Sequence, residues 1–133
     1  MHQFSTVNWL AVLVAALSGF VIGSVWYRIF QQPWMRYTGM TKEKGAQANM
    51  VLTFGGAYVL NLVAATGIAL LAGRHAGWLL GMHTGAFAAL FFVASALGVI
   101  YLFEQRPLGQ WFINAGYQVL NFAVMGIIIG LWP

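Results

Sequence analysis

The sequence predicts an all-α, polytopic membrane protein with four transmembrane helices, and its charges carry most of that prediction. Only 6% of the 133 residues are charged, whereas about 25% is typical of a soluble domain. The charged side chains are confined to three short gaps between four apolar runs, each close to the roughly 20 residues that cross a hydrocarbon core. A charge at the bilayer centre costs about 3 kcal/mol or more, so runs that exclude every charge are suited to lipid. Gap by gap, the charged residues are Arg28, Arg36, Lys42, Glu43 and Lys44, then Arg74, then Glu104 and Arg106.

The four runs leave no room for a separate soluble domain. We place the helices near 7–30, 48–72, 77–103 and 108–132, and treat 1–133 as a single four-helix transmembrane domain. The first run has no Lys or Arg before it and is longer than the apolar region of a secretory signal. We therefore expect it to be a retained transmembrane helix.

Positive residues lie mainly on one side of the predicted membrane. The first loop holds four Lys or Arg residues and the third holds one, whereas the second holds only Arg74. Because cytoplasmic loops carry the excess of Lys and Arg, both termini are predicted to lie outside. The net charge of +4 is too small and too local for nucleic acid. The predicted partner of these cations is the lipid bilayer, with its anionic headgroups.

A weak internal repeat links the two halves of the chain. Residues 27–33, from Tyr to Pro, resemble residues 101–107, and residues 58–62 resemble residues 117–122. Two similar hairpins, related as a parallel repeat about an axis along the membrane normal, would explain both matches. Chance similarity is the alternative, because membrane helices draw on few residue types.

Glycines recur at four-residue intervals in three of the predicted helices. Such stripes let helix backbones approach closely in lipid. They predict either packing within the chain or association of subunits, with a homodimer as the leading form. The residues are Gly19 and Gly23 in the first helix, Gly77, Gly81 and Gly85 in the third, and Gly126 and Gly130 in the fourth.

The fourth helix carries a row of neutral polar side chains. Asn114, Gln118 and Asn121 stand at positions i, i+4 and i+7, with Tyr117 beside them. An amide that faced lipid would leave hydrogen bonds unmade, at a cost of kcal/mol each. The row therefore faces other helices, as hydrogen-bonded packing, or lines a site for a small polar or neutral solute.

The second helix has its own pair of polar residues at mid-depth, Asn61 and Tyr58. For Asn61 and Asn121 we expect a hydrogen bond to each other, whereas Tyr117 and Gln118 are better placed to contact a ligand.

Few residues in this sequence can carry catalysis or hold a metal. There is no Asp or Cys, and the two Glu residues lie at the predicted cytoplasmic edge. His83 stands alone in the third helix, without the spacing of a metal site. Glu104 and Arg106 flank the turn before Pro107, where a paired, capped turn is favoured over a gate. No cofactor, metal or catalytic residue is predicted, and an enzyme is the least favoured class.

The ends of the chain resemble the bacterial integral membrane proteins grouped as domain of unknown function 1761. The start of this pattern includes Asn8-Trp9, Trp26-Tyr27 and Gly39-Met40-Thr41. The second half adds residues 103–107, then Asn114 and Tyr117 within 113–117, and the closing Leu131-Trp132-Pro133. The resemblance implies a four-helix protein of the bacterial inner membrane and brings no established activity.

Two functions remain open after this reading. The first is binding or passage of a small neutral or polar solute along the polar face of the fourth helix. The second is a non-transporting, homo-oligomeric subunit that serves interaction or structure.

Overall fold

Four long apolar helices make up most of the protein, and together they identify a multi-pass membrane protein. The computed structural model describes residues 6–46 and 49–132. The helices long and apolar enough to cross a membrane are Trp9–Ile29, Met50–Ala72, Trp78–Phe103 and Leu108–Leu131, here called spans 1 to 4. The described residues contain no strand, so the predicted all-α class is confirmed. Each described end lies within two residues of its predicted position, and the predicted start of span 2 at residue 48 lies outside the described residues.

Asparagine side chains fix the starts of the first two spans. Asn8 accepts a hydrogen bond from the Ala11 amide at 3.2 Å, and Asn49 accepts one from the Leu52 amide at 3.1 Å. Each amide is one of the donors that the first helical turn leaves without an intrahelical partner.

The first loop contains two short helices that the sequence pattern did not predict, Gln31–Thr38 and Lys42–Ala46. Pro33 lies in the first turn of the longer one, where a missing backbone N–H leaves no hydrogen bond unmade. Gly39 ends that helix with a φ of 73°, a left-handed conformation that glycine adopts without strain. This loop and the turn at 104–107 lie at the same end of the bundle, here called the basic end.

Span 3 departs from regular α-helix in its middle. Residues Ala89–Val93 form a single π-helical turn between the α-helical segments Trp78–Ala88 and Ala94–Phe103. A π turn inserts one residue into the helical ladder and rotates the faces on either side of it. The apolar pattern of this span was uniform, so it carried no sign of the irregularity.

Span 4 lies in the middle of the bundle and packs against all three other spans, whereas spans 1 and 3 lie on opposite sides of it. Its closest contact is with span 3. The Gly77 amide donates to the Gly130 carbonyl at 3.1 Å, and a Cβ added to Gly81 or Gly126 would overlap the backbone of the other. The glycine stripes of these two spans therefore serve packing within the chain.

The buried side chains on the other side of span 4 are medium-sized or small. Val12 and Ala15 of span 1, Ile68 of span 2 and Met125 of span 4 are almost fully buried and form one cluster. Large apolar side chains are instead exposed around the outside, as on span 2 at Val51 and Leu60. In lipid such side chains belong outside, and close van der Waals packing holds the helices together.

Candidate functional site

A polar cluster joins spans 1, 3 and 4 near the basic end. The Tyr27 hydroxyl donates to Asn114 Oδ1 at 2.7 Å, and Asn114 Nδ2 donates to the Tyr101 hydroxyl at 3.0 Å. Tyr27 and Tyr101 occupy equivalent positions in the predicted repeat, and both bind the same amide. The cluster therefore ties three helices together through a single side chain.

Tyr117, one turn deeper, binds the backbone of span 1. Its hydroxyl donates to the Gly19 carbonyl at 2.9 Å, and its ring lies 5.3 Å from that of Tyr27, centre to centre. Gly23 faces the same ring, and an added Cβ would meet the Tyr117 hydroxyl at 3.4 Å. The two glycines make room for a large ring between spans 1 and 4.

The predicted pairing of Asn61 with Asn121 is confirmed at mid-depth. Asn121 Nδ2 donates to Asn61 Oδ1 at 3.4 Å, and Asn61 Nδ2 lies 3.5 Å from the Ala16 carbonyl. Asn121 is fully buried, and its Oδ1 has no hydrogen-bond partner among the described residues. Gly19 lies against both amides, and a Cβ there would overlap Asn61 Nδ2. The amides therefore hold spans 1, 2 and 4 together where Gly19 leaves space.

Tyr58 binds span 1 rather than the polar row of span 4. Its hydroxyl donates to the Leu13 carbonyl at 3.0 Å. Its ring is stacked with Phe20 at 6.2 Å between centres, and Phe20 also lies 6.0 Å from Phe54. Spans 1 and 2 are thus linked by aromatic side chains, which hold them further apart than glycines would.

Gln118 is half-buried on span 4. It stands four residues after Asn114 and four before Phe122, so it lies between the polar row and the side of span 4 that faces span 3. On that side, Trp111 donates to the Ala94 carbonyl of span 3 at 2.9 Å, and the Phe122 carbonyl lies against Gly85. Contact of Gln118 with a ligand stays a prediction.

The largest cavity lies between spans 1 and 2, in the half of the bundle nearer the basic end. Its volume is about 760 Å³, and Tyr117 closes it on the side of span 4. Its walls are mostly aromatic and small side chains, with a few hydroxyls. The lining residues are Gly19, Phe20, Gly23, Ser24, Tyr27, Thr53, Phe54, Ala57 and Tyr117.

A second cavity of about 580 Å³ continues from the first toward the loop. The two share four lining residues, Ser24, Tyr27, Thr53 and Phe54. Beyond these, the second cavity reaches Arg28 at the end of span 1 and the loop residues Gln31 and Thr41. We call the two cavities together the span 1–2 groove.

The remaining predicted polar residues lie outside this groove. Glu104 and Arg106 form an ion pair in the turn before span 4, and the hydrogen bond that Arg106 donates to the Glu104 carboxylate raises the pKa of Arg106. His83 is exposed on span 3, with Nδ1 2.8 Å from the carbonyl of Leu79 one turn earlier. No three histidine or acidic side chains come together in the described ranges.

Several residues of the groove were not predicted as site residues. Phe20, Ser24, Thr53 and Phe54 are ordinary residues of a transmembrane helix, and only the angle between spans 1 and 2 brings them together. Gln110 was also missed. It is buried in the first turn of span 4, and its Oε1 has no hydrogen-bond partner among the described residues.

Comparison with known proteins places the chain in one family. The model of the family described as a protein of unknown function, DUF1761, matches residues 10–130. Neither the curated proteins nor the solved structures include a match to this chain. The match covers nearly all of spans 1 to 4, and the chain belongs to the DUF1761 family.

Proposed function

We propose that this chain is a binding protein that holds a small, largely apolar molecule in the span 1–2 groove. The observation that carries the proposal is the cavity of about 760 Å³ between the two spans. Its volume falls in the range of about 300–1,000 Å³ typical of ligand sites, which are also mainly apolar with a few placed polar groups.

The polar groups of the deeper cavity favour an uncharged part of the ligand, one that can donate a hydrogen bond. The hydroxyl hydrogens of Tyr27 and Tyr117 are already donated, to Asn114 and to the Gly19 carbonyl. Each hydroxyl oxygen can still accept a bond. Among the described residues, no charged side chain lines the deeper cavity, so an alcohol or amide group of the ligand suits this part of the site better than a charged group.

Binding is better supported than passage along span 4. A permeation path would use the whole polar row, but Asn114 and Asn121 bind other helices. Self-association stays a prediction, since the glycines of spans 3 and 4 that motivated it pack against each other.

Photolabelling tests the proposal in a lipid nanodisc. The probe is a neutral long-chain alcohol with a diazirine on its chain, and the labelled residues are mapped by mass spectrometry. We expect most label on Phe20, Tyr27 and Phe54. Ala57→Phe fills the cavity and should remove most of that labelling.

Val59→Phe is the matched control, because it adds an aromatic ring to the same span at an exposed position outside the cavity lining. It should leave the labelling pattern unchanged. Thr53→Phe supplies a second filled cavity if Ala57→Phe does not fold. Label spread evenly over the exposed faces of all four spans, and unaffected by either filling variant, would contradict the proposal.

A further inference from the structure

The span 1–2 groove extends across one leaflet of a bilayer. Along span 1 its lining residues run from Gly19 to Arg28. At 1.5 Å per residue, nine residues of helix rise about 14 Å. The hydrocarbon core is about 30 Å thick, so a single leaflet contributes about 15 Å. A molecule that fills the groove is therefore matched to one leaflet and not to the full membrane.

The character of the lining changes along this length. The deep end is lined by Phe20, Phe54 and Ala57, whereas the shallow end adds Arg28, Gln31 and Thr41 among apolar side chains. A groove that gains polar and charged side chains at its mouth, near the loop, suits an amphipathic occupant, with its chain between the spans and its headgroup at the loop.

The positive charge at the mouth of the groove determines which headgroup charge is favoured. Arg28 is exposed at the end of span 1, and the ion pair found among the described residues is formed elsewhere, by Arg106 and Glu104. The sequence of the first loop adds Arg36, Lys42 and Lys44 against a single carboxylate, Glu43. The mouth therefore favours an anion, and guanidinium groups bind phosphate oxygens with two parallel hydrogen bonds.

We propose that the span 1–2 groove binds an anionic phospholipid from the leaflet on the basic side. One acyl chain lies in the cavity against Phe20 and Phe54, and the phosphate group lies at Arg28. This inference rests on the proposed function, because it names the class of molecule that occupies the same site.

Native mass spectrometry of the whole chain tests the inference. The protein is released from nanodiscs that contain phosphatidylglycerol and phosphatidylcholine in equal amounts, and the retained lipids are identified. We expect phosphatidylglycerol to be retained in preference. Arg28→Gln should lower that preference by about tenfold, the effect of losing one charge-assisted hydrogen-bonded contact.

Arg36→Gln is the matched control. It removes the same charge from the same loop, at an exposed residue that does not line either cavity, and should leave the preference close to that of the wild type. Arg28→Lys should restore part of it. An equal loss in both glutamine variants, or no loss in Arg28→Gln, would overturn the inference, since the attraction would then come from the whole loop or from elsewhere.

The two proposals fail in different ways. If both lipids are retained equally and Ala57→Phe displaces both, the groove binds acyl chains without selectivity for the headgroup. The anionic inference is then wrong, and the proposed function stands. If Ala57→Phe changes neither lipid retention nor photolabelling, both proposals are wrong.

Discussion

The two hairpins of this protein are held together in different ways. Spans 3 and 4 meet backbone to backbone, with Gly81 against Gly126 and Gly77 bonded to Gly130. Spans 1 and 2 meet through side chains, with Tyr58 bonded to the Leu13 carbonyl and stacked on Phe20. We call the first the tight hairpin and the second the open hairpin. Glycines bring the backbones of spans 3 and 4 into contact. Aromatic side chains hold spans 1 and 2 apart and leave a groove between them.

This difference bears on the predicted repeat. Equivalent tyrosines, Tyr27 and Tyr101, do converge on Asn114. The two hairpins differ, however, in the space beside these tyrosines. The cavity near Tyr101, between spans 3 and 4, has a volume of about 240 Å³, against about 760 Å³ near Tyr27, between spans 1 and 2. The repeat stays a prediction, and the two hairpins differ in how closely their helices pack.

The largest expected effect comes from breaking the tight hairpin. In Gly126→Ala the new methyl group would overlap the Gly81 carbonyl, and overpacking of this kind typically costs about 1–3 kcal/mol. We expect a loss at the upper end of that range, because the methyl group meets backbone atoms, which cannot rotate away as a side chain can. Reversible unfolding in bicelles or mixed micelles measures it.

Gly67→Ala is the control for that experiment. Gly67 lies in span 2, and a Cβ there would meet no atom within 4 Å. The variant should be as stable as the wild type or slightly more so, since alanine favours helix over glycine by about 1 kcal/mol. Equal destabilisation by the two alanines would remove the contrast between the hairpins.

A smaller effect is expected where the open hairpin is joined to span 4. A double-mutant cycle with Asn61→Ala and Asn121→Ala should give a coupling energy of about 0.6 kcal/mol, the average for hydrogen bonds between membrane helices. The separation of 3.4 Å between Asn121 Nδ2 and Asn61 Oδ1 is long for a hydrogen bond, so we do not expect a coupling energy near the upper limit. Zero coupling would mean that the two amides do not bind each other in the membrane.

An effect of similar size is expected at the basic end. Tyr27→Phe removes the donor to Asn114 but keeps the ring that lines the groove. Its cost should be about 0.5–1 kcal/mol, with photolabelling of the groove retained. Tyr101→Phe should cost a similar amount, because it deprives the same amide of its other partner. If Tyr27→Phe stays fully stable but loses photolabelling, the Tyr27 hydroxyl contacts the ligand and does not stabilise the helix bundle.

The spans could be predicted from the sequence because charge exclusion depends only on composition along the chain. The Asn61–Asn121 pair could also be predicted, since two buried amides at the same depth must find partners. The groove could not be predicted. Whether Phe20 and Phe54 line a cavity depends on the angle at which spans 1 and 2 cross, and the uniform apolar pattern of both helices gives no information on that angle.

The most direct measurement is a crystal structure of the chain grown from a lipidic mesophase that contains phosphatidylglycerol. The account predicts elongated density in the cavity lined by Phe20 and Phe54, continuous with a phosphate peak at the Arg28 guanidinium, and no comparable density between spans 3 and 4. Spans 1 and 2 in direct contact, with Phe54 packed against Tyr117 and no space between them, would contradict it.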